Sequence, residues 1–211
     1  MGYQTIAAAA AATLVEKKSE FIAQLFPVQT QEEAISCIES VRKEHRKARH
    51  NCYAYLLRNG NASRYSDDGE PQGTAGLPIL DVLQKNELTD ICCVVTRYFG
   101  GVLLGANGLV RAYSRSTAMA VEAAQIQQMR PCYPVSLRTD YTMYGSILYH
   151  LPQDNLIQTD TIFDDGVTLE LLVCENLWET LRKNLIDLTG GQIQIEQGVL
   201  QYADFSKKKH E

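Results

Sequence analysis

Residues 91–96 read Ile-Cys-Cys-Val-Val-Thr, an unbroken β-favouring run with no polar face, set between Asp90 and the pair Arg97-Tyr98. A strand with one wet face alternates apolar and polar residues, whereas a run without alternation needs cover on both sides. The chain is therefore expected to build an α+β domain in layers around this strand. The residues after it narrow the choice further. Phe99-Gly100-Gly101-Val102-Leu103-Leu104-Gly105-Ala106-Asn107-Gly108 contains four glycines. From Leu109 to Gln127 a helical spacing takes over, with Val110, Tyr113, Thr117, Ala120 and Ala124 on one side.

The segments before this run supply the partners it needs. Thr13–Lys18 and Glu20–Val28 are predicted strands, and the alanines from Ala7 to Ala12 a mobile loop or part of a hairpin. Thr30 suits a helix N-cap, with Glu33 three residues on as in a capping box. Ala34, Cys37, Ile38, Val41 and His45 then make one apolar stripe. Asn51–Arg58 reads as a strand closed by the turn Asn59-Gly60-Asn61, and Ser63–Ser66 as a short return strand. Asp67-Asp68-Gly69-Glu70-Pro71-Gln72-Gly73-Thr74-Ala75-Gly76 is too rich in turn residues for a regular element, and Pro78–Gln84 resumes as a helix.

Met129-Arg130-Pro131-Cys132-Tyr133-Pro134, with two prolines, is read as a break between domains. Beyond it the expected order is strand (Val135–Tyr141), helix (Met143–Leu151), strand (Leu156–Phe163), strand (Val167–Cys174), helix (Leu177–Leu188) and strand (Gln192–Leu200). This βαββαβ order is the ferredoxin-like arrangement. The expected domains are thus 1–130 and 135–203, with a tail at 204–211. Charge supports the division. Residues 1–130 hold 14 Lys and Arg against 13 Asp and Glu, while residues 131–211 hold 6 against 12, within a net charge of −5. An anionic partner should prefer the first part, although a near-neutral domain is not marked as a nucleic-acid binder by charge alone. No apolar stretch approaches the roughly 18 residues of a membrane helix, so a cytoplasmic protein with no membrane partner is expected. The six cysteines form no Cys-x-x-Cys pair and mostly sit in apolar runs, as small buried thiols do.

Two glycine-rich segments carry the candidate site. In the first, a buried strand ends at Arg97-Tyr98 and passes through Phe99, Gly100, Gly101, Gly105, Asn107 and Gly108 into the helix from Leu109, with Arg111 in its first turn. Such a junction presents unpaired N–H groups to an anion. Tight strand–helix packing explains the same glycines, and the spacing matches neither the dinucleotide fingerprint nor the P-loop. In the second, Asp67, Asp68 and Glu70 stand close together, followed by Pro71, Gly73, Thr74 and Gly76. Clustered carboxylates suit a hard cation such as Mg²⁺ or acid–base work, and Asx turns account for the aspartates equally well. His50 and Cys52 share a strand face, as a base and nucleophile would, but no nucleophile-elbow pattern accompanies them. The run Arg42, Lys43, His45, Arg46, Lys47, Arg49 and His50, interrupted by Glu44, is a basic stretch suited to phosphate, or to the solvated C-terminus of a helix.

These segments resemble the IMPACT family, the YigZ-like proteins. The resemblance rests on Lys17-Lys18-Ser19-Glu20-Phe21-Ile22, on His50-Asn51-Cys52-Tyr53-Ala54-Tyr55, on Ser66 through Gly76, and on Val94-Val95-Thr96-Arg97-Tyr98-Phe99-Gly100-Gly101 continuing through Gly105 to Gly108-Leu109-Val110-Arg111-Ala112-Tyr113. It covers nearly the whole chain. It implies an N-terminal domain with a left-handed βαβ element, similar to the fourth domain of elongation factor G, although left-handed crossovers run against the usual rule. It also implies a ferredoxin-like second domain similar to that factor's fifth. The family is associated with translational regulation. Its eukaryotic members act through protein partners in the amino-acid starvation response and restrain phosphorylation of an initiation factor.

The expectation is a non-enzymatic, translation-linked binding protein that contacts RNA, the ribosome or a translation-regulating protein. Arg97, Gly100, Gly101, Gly105, Gly108 and Arg111 would form one wall, and Asp67, Asp68, Gly69 and Glu70 the other. Arg46, Lys47, Arg49 and His50 would act as auxiliary phosphate contacts. Tyr98, Phe99 and Leu103 would be the anchors for a protein partner. No cofactor and no metal are expected. The rivals are an enzyme that holds a small phosphorylated substrate beside carboxylate-bound Mg²⁺, and a hydrolase. Glu20 stands where the family often has Arg, Leu77 and Leu103 where it often has Lys, and Asn107 where it often has Gly. The charge changes make the surface less basic than the family pattern.

Overall fold

The computed structural model describes residues 2–206. The expected tail from 207 on lies outside these. The chain forms two compact units, Tyr3–Gln127 and, with Gly2, the residues from Gln128 onward. Each has its own apolar core.

In the first unit, β2 (Ala10–Glu16), β3 (Ser19–Pro27), β4 (His50–Leu57), β5 (Ala62–Ser66) and β6 (Ile91–Tyr98) form one sheet in the order β2-β3-β6-β4-β5. A short strand, β1 (Tyr3–Ile6), precedes them. All neighbours in the five-stranded sheet are antiparallel. The apolar run therefore lies at the centre, as its sequence requires. Cys93 and Val95 face one layer, made by α2 (Gly76–Lys85) and α3 (Ala106–Ala123). Cys92 and Val94 face the other, where α1 (Gln31–Glu44) inserts Ala34, Ile38 and Val41. Because β3 and β4 both run antiparallel to β6, they are parallel to each other. The path β3–α1–β4 is thus a βαβ unit with β6 between its strands.

Local signals explain most boundaries. The Thr30 hydroxyl accepts from the Glu33 N–H (3.2 Å), and the Glu33 carboxylate accepts from the Gln29 N–H (2.6 Å), which fixes the start of α1. Of the two expectations for the alanine patch the hairpin holds: Ala10–Ala12 belong to β2 and pair with Ala23–Leu25. Lys17 and Lys18 are not strand. They are a two-residue turn with φ of 45° and 65°, the backbone that right-twisted hairpins require.

In the second unit the order is β7 (Ile126–Thr139), α4 (Tyr141–His150), β8 (Leu156–Phe163), β9 (Val167–Cys174), α5 (Glu175–Leu188), β10 (Gln194–Gln197) and β11 (Gln201–Asp204). β9 lies between β7 and β8, and β10 and β11 both pair with β7. The order β10-β7-β9-β8 is that of a ferredoxin-like βαββαβ sheet. Val135, Leu137, Leu169, Leu171 and Val173 meet Trp178, Leu181 and Leu185 of α5. The expected break at 129–134 is instead the middle of β7. Pro131 and Pro134 lie opposite Tyr202 and Leu172, so pairing with other strands outweighs the breaker signal. Asp204, expected in the tail, closes β11.

Candidate functional site

The two glycine-rich segments are connected through a buried polar cluster. Arg97 stands opposite Phe21 of β3 and His50 of β4. Its Nη1 donates to Glu70 Oε1 at 2.7 Å, with side-chain exposures of only 7% and 3%. The same oxygen accepts the Tyr113 hydroxyl of α3 at 2.8 Å. Cys52 Sγ lies 3.3 Å from that hydroxyl and 2.9 Å from the Asp67 carbonyl oxygen. Burial pushes the Cys52 thiol up from 9.0 to about 12, and it raises the Tyr113 phenol as well, with Cys52 and Glu70 adding to the effect. Both groups therefore keep their protons at neutral pH. The suggested nucleophile is a protonated core thiol, and His50 Nδ1 lies 3.0 Å from the Asp68 carbonyl.

The three carboxylates do not converge. Asp67 accepts from the N–H groups of Gly73 (2.8 Å), Ala75 (3.0 Å) and Gly76 (2.8 Å), so the start of α2 is already filled by the chain's own anion. Asp68, with φ of 42°, takes the Asn51 N–H (2.7 Å) and Arg42 Nη2 (2.6 Å). Glu70 turns inward. Thr74 is buried, and its hydroxyl returns to the Pro71 carbonyl. Gly76 packs so closely that a Cβ would lie 2.7 Å from the Ser66 backbone. The segment 67–76 is thus a self-bonded loop, not a wall of free carboxylates. Among the described residues no group of three or more His, Cys, Asp or Glu side chains is placed to share a metal ion.

The open face lies at the Arg97–Tyr98 end of β6. Lys47, Ala48, Arg49, His50, Arg97, Tyr98, Phe99 and Leu103 line a groove of about 650 Å³. Phe99 and Leu103 are 56% and 82% exposed, and the Arg97 guanidinium lies 5.5 Å from the Phe99 ring. Tyr98 is only partly exposed, and its hydroxyl meets His45 Nδ1 at 3.0 Å. Gly100 fixes the loop to the β2–β3 turn. A Cβ there would lie 2.0 Å from the Lys18 carbonyl, and its N–H donates to the Ser19 hydroxyl (3.1 Å). Gly101 (φ 83°) and Gly105 (φ 73°) take the left-handed backbone that lets the loop reach α3.

The remaining expected residues fall elsewhere. Arg46 is exposed and bonds to the Lys43 carbonyl, outside the groove. Gly108 and Arg111 line a second depression, about 220 Å³, with Leu14, Glu16, Lys17, Leu104, Ala112 and Arg115. Asn107 is exposed in the first turn of α3, whose N-cap Gly105 offers no side chain. Sequence reasoning counted Arg42 in the basic run but missed its pairing with Asp68, which it holds in place. Its only signal was its position in a basic stretch.

An Impact N-terminal domain matches residues 17–121, and a domain of unknown function, DUF1949, matches residues 137–192. The fold and the loop-and-groove site therefore define a two-domain protein of the type that joins these modules. The chain is 36% identical to the IMPACT family member YvyE of Bacillus subtilis, over 96% of this chain and 94% of that one. It is also 40% identical to the Protein IMPACT homolog of Dictyostelium discoideum, over 46% of this chain and 29% of that one. A crystal structure of a hypothetical protein superimposes with a TM-score of 0.60 at 32% identity, covering 92% of this chain and 96% of its own. The chain belongs to the IMPACT family.

Proposed function

We propose that this protein is a translation-linked regulatory binding protein, and that its N-terminal groove takes the phosphate backbone of RNA as presented by a ribosomal particle. The observation that carries this reading is the groove itself, which sets Lys47, Arg49 and His50 against an exposed aromatic ring, Phe99. Cationic side chains that track phosphates beside an aromatic platform are the recurring means of holding single-stranded nucleic acid. The cytoplasm is the setting this reading requires. The carboxylates of segment 67–76 act as its scaffold, because their acceptor capacity is turned inward.

Binding of the purified protein to ribosomal subunits and to single-stranded RNA, measured across graded salt, tests the reading. The affinity should fall steeply with salt. The variant K47E/R49E should flatten the logarithmic salt slope by about 1.4, roughly 0.7 for each single-strand phosphate contact removed. Absence of salt-sensitive binding would defeat it.

A protein partner is the second reading, and the exposure of Phe99, Leu103 and Val102 (40%) favours it. It requires an interface that salt barely affects, with Phe99 and Leu103 as anchors. Tyr98 drops out of that set because it is tied to His45. A pull-down from lysate that survives F99A/L103A would remove this reading.

A further inference from the structure

Cys132 and Cys174 stand directly opposite each other in the β7/β9 ladder, and both are free thiols. The Cys174 N–H donates to the Asn155 carbonyl (2.9 Å), on the β8 side. In an antiparallel ladder the N–H and C=O of one residue point to the same neighbour, so Cys174 turns neither group toward β7. The pair is therefore of the non-hydrogen-bonded kind, which brings Cα atoms to about 4.5 Å and side chains closest. Disulfides span Cα separations of about 4.4–6.8 Å. Val135, Leu137, Leu171 and Val173 point into the core under α5, so by alternation both cysteines project from the opposite face of the sheet.

The surroundings differ for the two sulfurs. Cys174 is the N-cap residue of α5, and Arg130, two residues before Cys132 on β7, donates to Asn155 Oδ1 and lies close enough to act on the Cys174 sulfur. A helix N-terminus and a guanidinium both favour thiolate. Burial pushes both thiols up, and at Cys174 Arg130 opposes that rise. A depression of about 360 Å³, lined by Gly2, Arg130, Pro131, Cys174, Glu175 and Asn176, reaches Cys174 and not Cys132. The other strand cysteines have no such partner. Cys92 lies opposite Phe26 and Tyr55, Cys93 opposite Leu25 and Ala54, and Cys52 opposite Val95.

We propose that Cys132 and Cys174 are a redox-active pair that closes to a cross-strand disulfide when a small disulfide of the glutathione class enters the depression beside Arg130. The Cys174 thiolate attacks one sulfur of the small disulfide, forms a mixed disulfide and releases the first small thiolate. Cys132 gives its proton to the small thiolate just released and attacks the Cys174 sulfur, releasing the second. The two protein thiols lose two electrons and two protons, and one small disulfide becomes two thiols. The bond ties β7 to the first turn of α5.

Full-length, fully reduced protein is exposed to glutathione disulfide under native conditions, quenched in acid, alkylated after denaturation and mapped by peptide mass spectrometry. The expected product is a Cys132–Cys174 crosslink that forms at least about tenfold faster than any modification of Cys52, Cys92 or Cys93. C132S should stop at the mixed disulfide on Cys174, C174S should leave Cys132 unmodified, and C37S should crosslink like the parent. The wild-type map decides the matter even if a variant fails to fold. Six free thiols after treatment, a link between other cysteines, or a mixed disulfide at Cys174 that does not proceed would each overturn the proposal.

Discussion

Truncation of Glu70 tests whether the buried cluster, not the glycines alone, holds the site together. In Glu70→Ala the Arg97 guanidinium loses its counter-charge at 7% side-chain exposure, and the Tyr113 hydroxyl loses its acceptor. Arg97 Nε already lacks a partner, so no second protein group stands ready to compensate. Breaking a buried pair on one side costs about 3–5 kcal/mol, since the stranded charge stays desolvated. For a unit of this size that corresponds to a loss of roughly 11–19 °C in Tm. Glu70→Gln keeps an acceptor for Tyr113 but loses the charge, and should cost about half as much. Glu70→Leu combined with Arg97→Met removes both charges and should recover most of the loss. The assay is urea and thermal denaturation followed by far-UV circular dichroism. Fluorescence of Trp178, the single tryptophan, buried in the C-terminal core, marks the transition of the other unit. A Glu70→Ala protein within about 1 kcal/mol of the parent would refute the reasoning, because Arg97 would then have found water and the pair would not be the anchor of the loop.

Other perturbations separate further parts of the argument. Cys52 and Cys93 are pushed by burial from 9.0 to about 12, and Cys92 is raised likewise. The folded protein thus keeps protons that the unfolded chain releases. Stability should be unaffected by these thiols below pH ~9 and fall above it by about 1.4 kcal/mol per pH unit for each thiol, as urea denaturation at pH 8, 9 and 10 would show. Gly100→Ala drives a Cβ into the Lys18 carbonyl and should leave the N-terminal unit largely unfolded. Gly101→Ala meets open space and should cost only the left-handed strain of about 1–2 kcal/mol, read in the same denaturation assay. Asp67→Ala removes the acceptor for three N–H groups at the start of α2. It should cost about 2 kcal/mol, the upper end for an N-cap, and speed amide exchange at Gly73, Ala75 and Gly76.

The layer plan is legible in the periodicity of the sequence. The unalternating run at 91–96 is the central strand, and the βαββαβ order of the second half is its topology. The βαβ unit β3–α1–β4 had entered only through the family resemblance. A local hairpin set two boundaries, drawing Ala10–Ala12 into β2 and closing it with a left-handed turn at two lysines. Pairing with distant strands overrode local preference at β7, which holds two prolines. No local signal reports such pairing, because the partner strand lies far away in the sequence.

The same division runs through the candidate site. The sequence alone singled out the two segments that hold Arg97, Glu70, Asp67 and Gly100 by their composition and spacing. It could not determine the direction in which they act. Tertiary structure turned Asp67 and Glu70 inward to backbone N–H groups, Arg97 and Tyr113. It brought Lys47, Arg49 and Phe99 together across a gap of about fifty residues, and it set Cys132 against Cys174. A carboxylate, a cation or a thiol has the same chemistry in either setting. Whether it meets solvent, a counter-charge or a second sulfur is decided by which distant strand the hydrophobic core places beside it.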